Sequence, residues 1–384
     1  MTAALDLLRS LVRDALAAEE GQPVGAADLG AVDVPALLAV VRRHRVGELL
    51  RTSAPVLALP GELVAGLDAG RDLARPRLLL QAMETVRACA LLTEHGVDVL
   101  AFKGQALAVQ TTGRADARGP GDVDLLVPPE RVVAAHRALL AGGWALREEG
   151  RVEPGTWAWE YVSRWGNALT YAGHGADVDL HWRLEASPGA HPDFAVLHAR
   201  RAEVSLGGAR LPTLSPSDAL RHSAAHREGW VWLRTLVDLR RLARDPAVLD
   251  GGLRPVALAS LAIARATVGL PDSVPAHVHD RLDRVPAAVV DRALGYHRDA
   301  VPASFGGGAG SALTFRHRLA SLSTTADLRH AAVTLVLPAH AALPVRSRTA
   351  WTGVPRALAL RLRTLVRSRV RRGGPCAGRP GRAA

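Results

Sequence analysis

Lysine is almost missing from this chain: Lys103 stands alone among 48 basic residues, and the rest are arginine. Cysteine is nearly as scarce. Cys89 and Cys376 lie too far apart in sequence to build a disulfide framework or a zinc knuckle. Aromatic residues make up 4% of the chain. The longest apolar run, "AAVTLVLPAHAAL" at 331–343, is too short to span a bilayer and is broken by Pro338. The first residues, "MTAALDLLRSLVRDALAAEE", have no basic leader and carry Asp6 and Asp14 within a helical leucine period. They read as a helix rather than a signal peptide. A reducing cytoplasm is the compartment these absences suggest.

Acidic residues are absent from 345–384, which holds 11 arginines, so residues 1–344 balance 37 basic against 37 acidic side chains. The net charge of +11 therefore belongs to a tail and not to the body. A body that grips long nucleic acid through its active face usually shows a basic field there. "PRALALRLRTLVRSRVRR" places Leu358, Leu362, Leu365 and Val366 on one helical face, with arginines largely on another. Such a helix could dock on the body, lie peripherally on an anionic membrane, or touch RNA.

What is present is a change of period along the chain. Residues 1–95 read as helical and end at His95-Gly96, a helix stop. "VDVLAF" (97–102), "GDVDLLV" (121–127), "NALTYAG" (167–173) and "ADVDLHW" (176–182) read as strands, the last two joined by a tight His174-Gly175 turn. Helices resume at Ser215, and "FGGGAGS" (305–311) reads as a connector. The fold class is α+β. A small mixed-sheet unit over 96–212 is flanked by N-terminal helices (1–95) and a larger helical region (213–344), followed by the tail (345–384). With 384 residues, more than one packed unit is expected.

Chemistry gathers in the small unit. Asp122 and Asp124 are two apart, so on a strand both carboxylates project from one face. Such a pair is unfavourable unless a cation sits between its members, and a divalent metal removes the conflict. Magnesium suits carboxylates together with phosphate oxygens, and two such ions can clamp a phosphoryl displacement. The device recurs as Asp177, Asp179 and His181 on the second strand. Asp179 sits deeper in that strand than Asp177 and is the better third carboxylate. His181 could orient a carboxylate, contact a phosphate, or simply fill hydrogen bonds.

The order strand–"KG"–helix–"RGPGDVDLLV"–helix–strand–"DVDLHW", followed by a helical half with "H…H" and "LRTLVDL", resembles a known family. These are the uncharacterised bacterial nucleotidyltransferases of the DNA-polymerase-beta-like superfamily. The resemblance covers about residues 75–245. It implies a nucleotidyltransferase-type catalytic unit, with Asp122 and Asp124 as the metal-binding pair and Asp179 as a further ligand or as base for the nucleophile. It also implies two Mg2+ ions, an NTP substrate, and transfer of an NMP to an acceptor with release of pyrophosphate. Gly104 falls in the superfamily's glycine motif, although the chain reads Lys103-Gly104-Gln105 where Gly-Ser or Gly-Gly is common.

Lys103 falls at a strand-to-helix turn, where the helix dipole favours anions and disfavours cations. An ammonium there is well placed only if it contacts a triphosphate or a neighbouring aspartate. Gly104 allows a phosphate close to the backbone, and Gln105 opens the helix beside it. Arg118 could hold pyrophosphate bidentately or pair with an aspartate, and Arg114 competes for either role. His222 and His226 have the i, i+4 spacing of metal ligands, or pack a helix against the unit. Trp157 and Trp159 share a face if "TWAWEY" is extended, and could then stack a base. Asp238 is expected to pair with an arginine on its own helix. The acceptor is a peptide, a protein or a small molecule. The alternatives are a toxin-like tRNA or RNA nucleotidyltransferase, and a non-catalytic nucleotide- or partner-binding protein of the same fold.

Overall fold

The structure is a computed structural model that describes residues 2–30, 33–147, 152–187, 189–298, 317, 322 and 324–336. The tail from 345 and the connector at 305–311 lie outside the described residues.

The chain opens with helices α1 (Thr2–Glu19), α2 (Val34–His44), α3 (Gly47–Ser53) and α4 (Gly61–Glu94). Asp33 caps α2 by accepting from the Ala36 N–H, and a proline sits in its first turn. Then come β1 (Leu100–Phe102), α5 (Gly104–Thr112), β2 (Val123–Leu126), α6 (Val132–Ala141), β3 (Ala145–Leu146) and α7 (Trp157–Trp165). β4 (Ala168–Gly173) and β5 (Ala176–His181) form the expected hairpin. His174 and Gly175 turn it with φ of 49° and 95°, as a two-residue hairpin loop of this hand demands. After α8 (Phe194–Ala199), β6 (Ala202–Leu206) and β7 (Ala209–Thr213) make a second hairpin. Helices α9 (Pro216–Ala225), α10 (Leu233–Leu242), α11 (Pro255–Thr267), α12 (Ala276–Asp283), α13 (Ala287–Arg298) and α14 (Thr325–Val336) complete the described chain.

The five-stranded sheet has the order β1-β2-β5-β4-β3. β2 and β5 run parallel, and the other neighbours are antiparallel. The sheet is therefore mixed, with the two aspartate-bearing strands adjacent near its centre. Val123, Leu125, Val178 and Leu180 are buried on one face, packed with Ala88 and Leu92 of α4 and Ala135 and Leu139 of α6. The alternation of a two-residue period then sends Asp124 and Asp179 to the opposite face.

A second core unites the two ends of the chain. Leu8, Leu37 and Leu50 pack in one cluster with Leu236, Leu261 and Leu282. The helices before and after the sheet thus share one apolar interior rather than forming separate bodies. α4 bridges the two cores, with Leu63 and Leu67 in the helical one and Ala88 and Leu92 in the other.

Several local readings change. Pro76 lies inside the 34-residue α4. The carbonyl four residues earlier, at Asp72, is on an exposed stretch, where losing the donor is least costly. Residues 157–165 are helical, capped by the Thr156 hydroxyl, so Trp157 and Trp159 do not share an extended face. Trp159 is buried edge-on against His136, whose Nδ1 is 2.7 Å from the Tyr171 hydroxyl. α9 ends at Ala225 and His226 is extended, so the two histidines are not paired along one helix. No helix among the described residues is long and apolar enough to cross a membrane.

Candidate active site

Asp124 on β2 and Asp179 on β5 are direct register partners. Neighbouring parallel strands stand about 4.8 Å apart, so the two carboxylates lie side by side. Each is fixed by its own neighbours. Lys103 Nζ donates to Asp124 Oδ1 at 3.0 Å, and His181 Nε2 donates to the same oxygen at 3.1 Å. Asn167 Nδ2 faces His181 Nδ1 at 3.4 Å, which leaves the ring proton on Nε2, toward Asp124. The Thr170 hydroxyl donates to Asp179 Oδ1 at 2.6 Å. One ligand atom each from Asp124, Asp179 and His181 lies within 4.8 Å of the other two.

Asp122 precedes β2, and its position is set from behind. Gln81 of α4 donates to the Asp122 carbonyl at 2.9 Å and accepts from the Gly121 N–H at 3.2 Å. Gly104 lies against the same group: a Cβ there would stand 3.1 Å from Gln81 Nε2 and 3.5 Å from the Asp122 carbonyl oxygen. Its φ of 38°, next to 55° at Lys103, makes the strand-to-helix turn abrupt. Lys103 has φ 55° and ψ −150°, a region that only glycine visits freely and that costs other residues about 1–3 kcal/mol. The bond to Asp124 holds the ammonium in place despite that strain.

The electrostatics follow from crowding. Burial raises the Asp122 carboxyl to about 6, and the charges of Asp179, Asp124 and Asp177 push the same way. Burial also raises Asp179; the Thr170 hydroxyl opposes it, while Asp124 adds to it. Asp124 is the exception: burial is outweighed by Lys103 and His181, which hold it well below the usual carboxylate range. Lys103 is pushed above its ordinary range because Asp124 overcomes the effect of burial. One ammonium thus faces three carboxylates. That surplus of negative charge on hard oxygen donors fits divalent magnesium.

A cavity of about 410 Å³ opens beside the cluster. Lys103, Asp179 and His181 line its sheet side, and Arg227, Arg254 and His226 line the helical side.

Other sequence candidates lie elsewhere. Asp177 is held bidentately by Arg147, with Nη2 at 2.5 Å from Oδ2. Arg118 is buried, with Nη2 2.9 Å from Asp238 Oδ2 and Nη1 donating to the Gly104 carbonyl at 3.3 Å. Asp238 therefore pairs across to the loop before β2 and not along its own helix. Arg114 binds Glu48 at 2.7 Å and Asp116. Gln105 is buried and donates to the Leu78 carbonyl on α4 at 2.8 Å. His222 packs against Phe102, and ring centroids of 5.8 Å separate it from His226. Gln81, Thr170 and Asn167 carry no sequence signal of their own, since each acts through an oxygen or amide brought in by the fold.

A family described as uncharacterised nucleotidyltransferases matches residues 30–254, and the chain belongs to it. Among solved structures the chain is similar to an antigenic nucleotidyltransferase-like protein from Paracoccidioides brasiliensis. That likeness has 16% identity and a TM-score of 0.32, covering 55% of this chain and 96% of that one. No curated protein matches the chain.

Proposed function

We propose that the protein is a magnesium-dependent enzyme that moves an NMP from an NTP to an acceptor and releases pyrophosphate. The observation that carries this reading is the register pairing of Asp124 with Asp179, with Asp122 near enough for their charges to act on it and Lys103 bonded to Asp124. Asp122, Asp124 and Asp179 would hold the two ions, which when bound neutralise charge developing on the α-phosphate.

The chain's own residues supply positioning. His181 and Lys103 fix the Asp124 carboxylate, and Thr170 fixes Asp179. The triphosphate lies in the cavity between Lys103 and the helical wall bearing Arg227 and Arg254. Gly104, with no Cβ, leaves room for Gln81 and the Asp122 carbonyl, which set the start of β2 against the first turn of α5. Asp179, held by the Thr170 hydroxyl on one oxygen, accepts the proton of the attacking hydroxyl. The acceptor oxygen bonds to the α-phosphorus, the bond from that phosphorus to the α–β bridging oxygen breaks, and pyrophosphate departs. Positioning and electrostatics account for such a transfer.

The balanced charge of residues 1–344 supports a peptide, protein or small-molecule acceptor. The 11 arginines of 345–384 support a second reading, an RNA end as acceptor. Calorimetric titration of ATP, GTP, CTP and UTP with Mg2+ tests the site. Wild type should bind at least one NTP, and the Asp122→Ala/Asp124→Ala double variant should not. Equal binding by both proteins overturns the reading. Mass spectrometry of candidate acceptors then separates the two acceptor classes by the nucleotide adduct.

A further inference from the structure

A second cluster of ligand-type side chains lies outside the aspartate site. Glu185 and His191 stand on the connection between β5 and α8, and His222 stands on α9. His222 is 1% exposed and the His191 side chain 7%. His191 Nε2 and Glu185 Oε1 are 3.4 Å apart. Yet among the described residues neither atom makes a hydrogen bond, and both ring nitrogens of His222 are buried without a partner. Each buried polar atom left unpaired costs about 1–3 kcal/mol. Glu185 Oε1 and His191 Nε2 stand as an ion pair, and with one His222 nitrogen they make three atoms that a single shared partner can satisfy.

The geometry supplies its shape. One ligand atom each from Glu185, His191 and His222 lies within 4.8 Å of the other two. In a tetrahedral shell with metal–ligand distances of about 2.0–2.1 Å, neighbouring ligand atoms are about 3.4 Å apart. The Glu185–His191 edge already has that length. The other Glu185 oxygen lies 4.0 Å from Arg254 Nη1, which turns Oε1 inward. The His191 and His222 rings meet at 63° with centroids 5.6 Å apart, so both can aim a nitrogen at one point. Phe102 touches His181 on one side and His222 on the other, and so divides this cluster from the aspartates.

We propose that Glu185, His191 and His222 form a second metal site that takes a divalent transition-metal ion of the zinc class. Two imidazoles and one carboxylate match that ion and not magnesium, which prefers oxygen throughout. Glu185 also lines the 410 Å³ cavity, so the fourth position of the shell would be open to solvent. The ion fastens the connection between β5 and α8, whose described residues form no helix or strand, to α9 in the helical core. It does not depend on the nucleotide reading.

The test uses the full chain, stripped with a chelator and titrated with Co2+ in the absence of nucleotide. One equivalent should bind with the intense visible absorption of tetrahedral Co2+, Zn2+ should displace it, and the thermal midpoint should rise. Glu185→Gln and His191→Gln should each weaken binding by more than the ~10–100-fold that loss of an outer-shell partner costs. Asp124→Asn should retain the absorption. Two independent ligand variants guard against one that fails to fold. Failure of the folded wild type to bind one Co2+ overturns the proposal. So does an absorption that survives both ligand variants, or one that is lost in Asp124→Asn.

Discussion

Asp124 and Asp179 are joined edge to edge through the only parallel strand pair in the described sheet, and one lysine is bonded to the first of them. Their spacing is set by the sheet backbone, so neither carboxylate can relax when the other is removed. Asp124→Asn and Asp179→Asn are each expected to lower nucleotide-dependent pyrophosphate release by about 10²–10³-fold or more. The double variant should be scarcely worse than either single one, because groups that act as a unit are not additive. Multiplicative losses in a pyrophosphate-coupled assay would mean that the two carboxylates act separately.

Lys103 combines charge with strain, and the two can be separated. Lys103→Ala and Lys103→Gly both remove the ammonium and should lose activity equally. Only alanine retains the unfavourable φ of 55°. The glycine variant should therefore be more stable, by about 1 kcal/mol in denaturant titration. Equal midpoints would show that the turn relaxes without cost.

Arg118 and Asp238 form an ion pair that is nearly closed to solvent, with side chains 7% and 1% exposed. It ties the loop before β2 to α10. Removing one member leaves the other charge buried, so Asp238→Asn should destabilise the fold by about 3–5 kcal/mol. Replacing both with apolar residues, as in Arg118→Met/Asp238→Leu, should restore most of that loss. If Arg118 instead acts on pyrophosphate, the double variant will be stable but will show an altered KM for the nucleotide.

Much of the site could be read before the fold was known. "GDVDLLV" and "ADVDLHW" are period-two stretches whose apolar positions fix the buried face, and that choice alone places Asp124 and Asp179 together on the other. The solitary ammonium of Lys103 in an arginine-rich chain stood out for the same reason it bonds Asp124: a compact charge at a tight turn. What the sequence did not disclose depends on register and long-range packing. Gln81 reaches Asp122 across 41 positions of chain, and Thr170 meets Asp179 only after the hairpin closes. "TWAWEY" alternates like a strand but is helical because Thr156 caps it and Ala158, Trp159 and Val162 are buried. The hairpin at 202–213 carries little local signal beyond Gly207-Gly208 at its turn, since its strands are short and half exposed. The joining of the first and last helices into one core is a non-local choice that no local pattern encodes.

His44 and His297 make a prediction about acid. They meet edge-on, with ring centroids 5.7 Å apart, where α2, α10 and α13 converge. His44 Nδ1 accepts from the Leu233 N–H at 3.3 Å, so that nitrogen cannot carry a proton without breaking the contact. Burial, then the nearby Arg43, lowers His44 to about 3, and burial drives His297 well below its ordinary value. Burial depresses His222 and His226 in the same direction. Between the unfolded value of about 6.5 and these lower folded values, the unfolded chain takes up protons that the folded chain refuses. The stabilisation is complete above pH 6.5 and is lost as pH falls toward the folded values. His44→Gln keeps an acceptor for Leu233 and removes one such proton. Its stability should therefore fall less steeply from pH 6.5 to 5, the difference in slope growing toward about 1.4 kcal/mol per pH unit at the acid end. Guanidinium titrations at pH 7, 6 and 5 measure that slope, and identical slopes in the two proteins would mean that His44 is protonated in the folded chain.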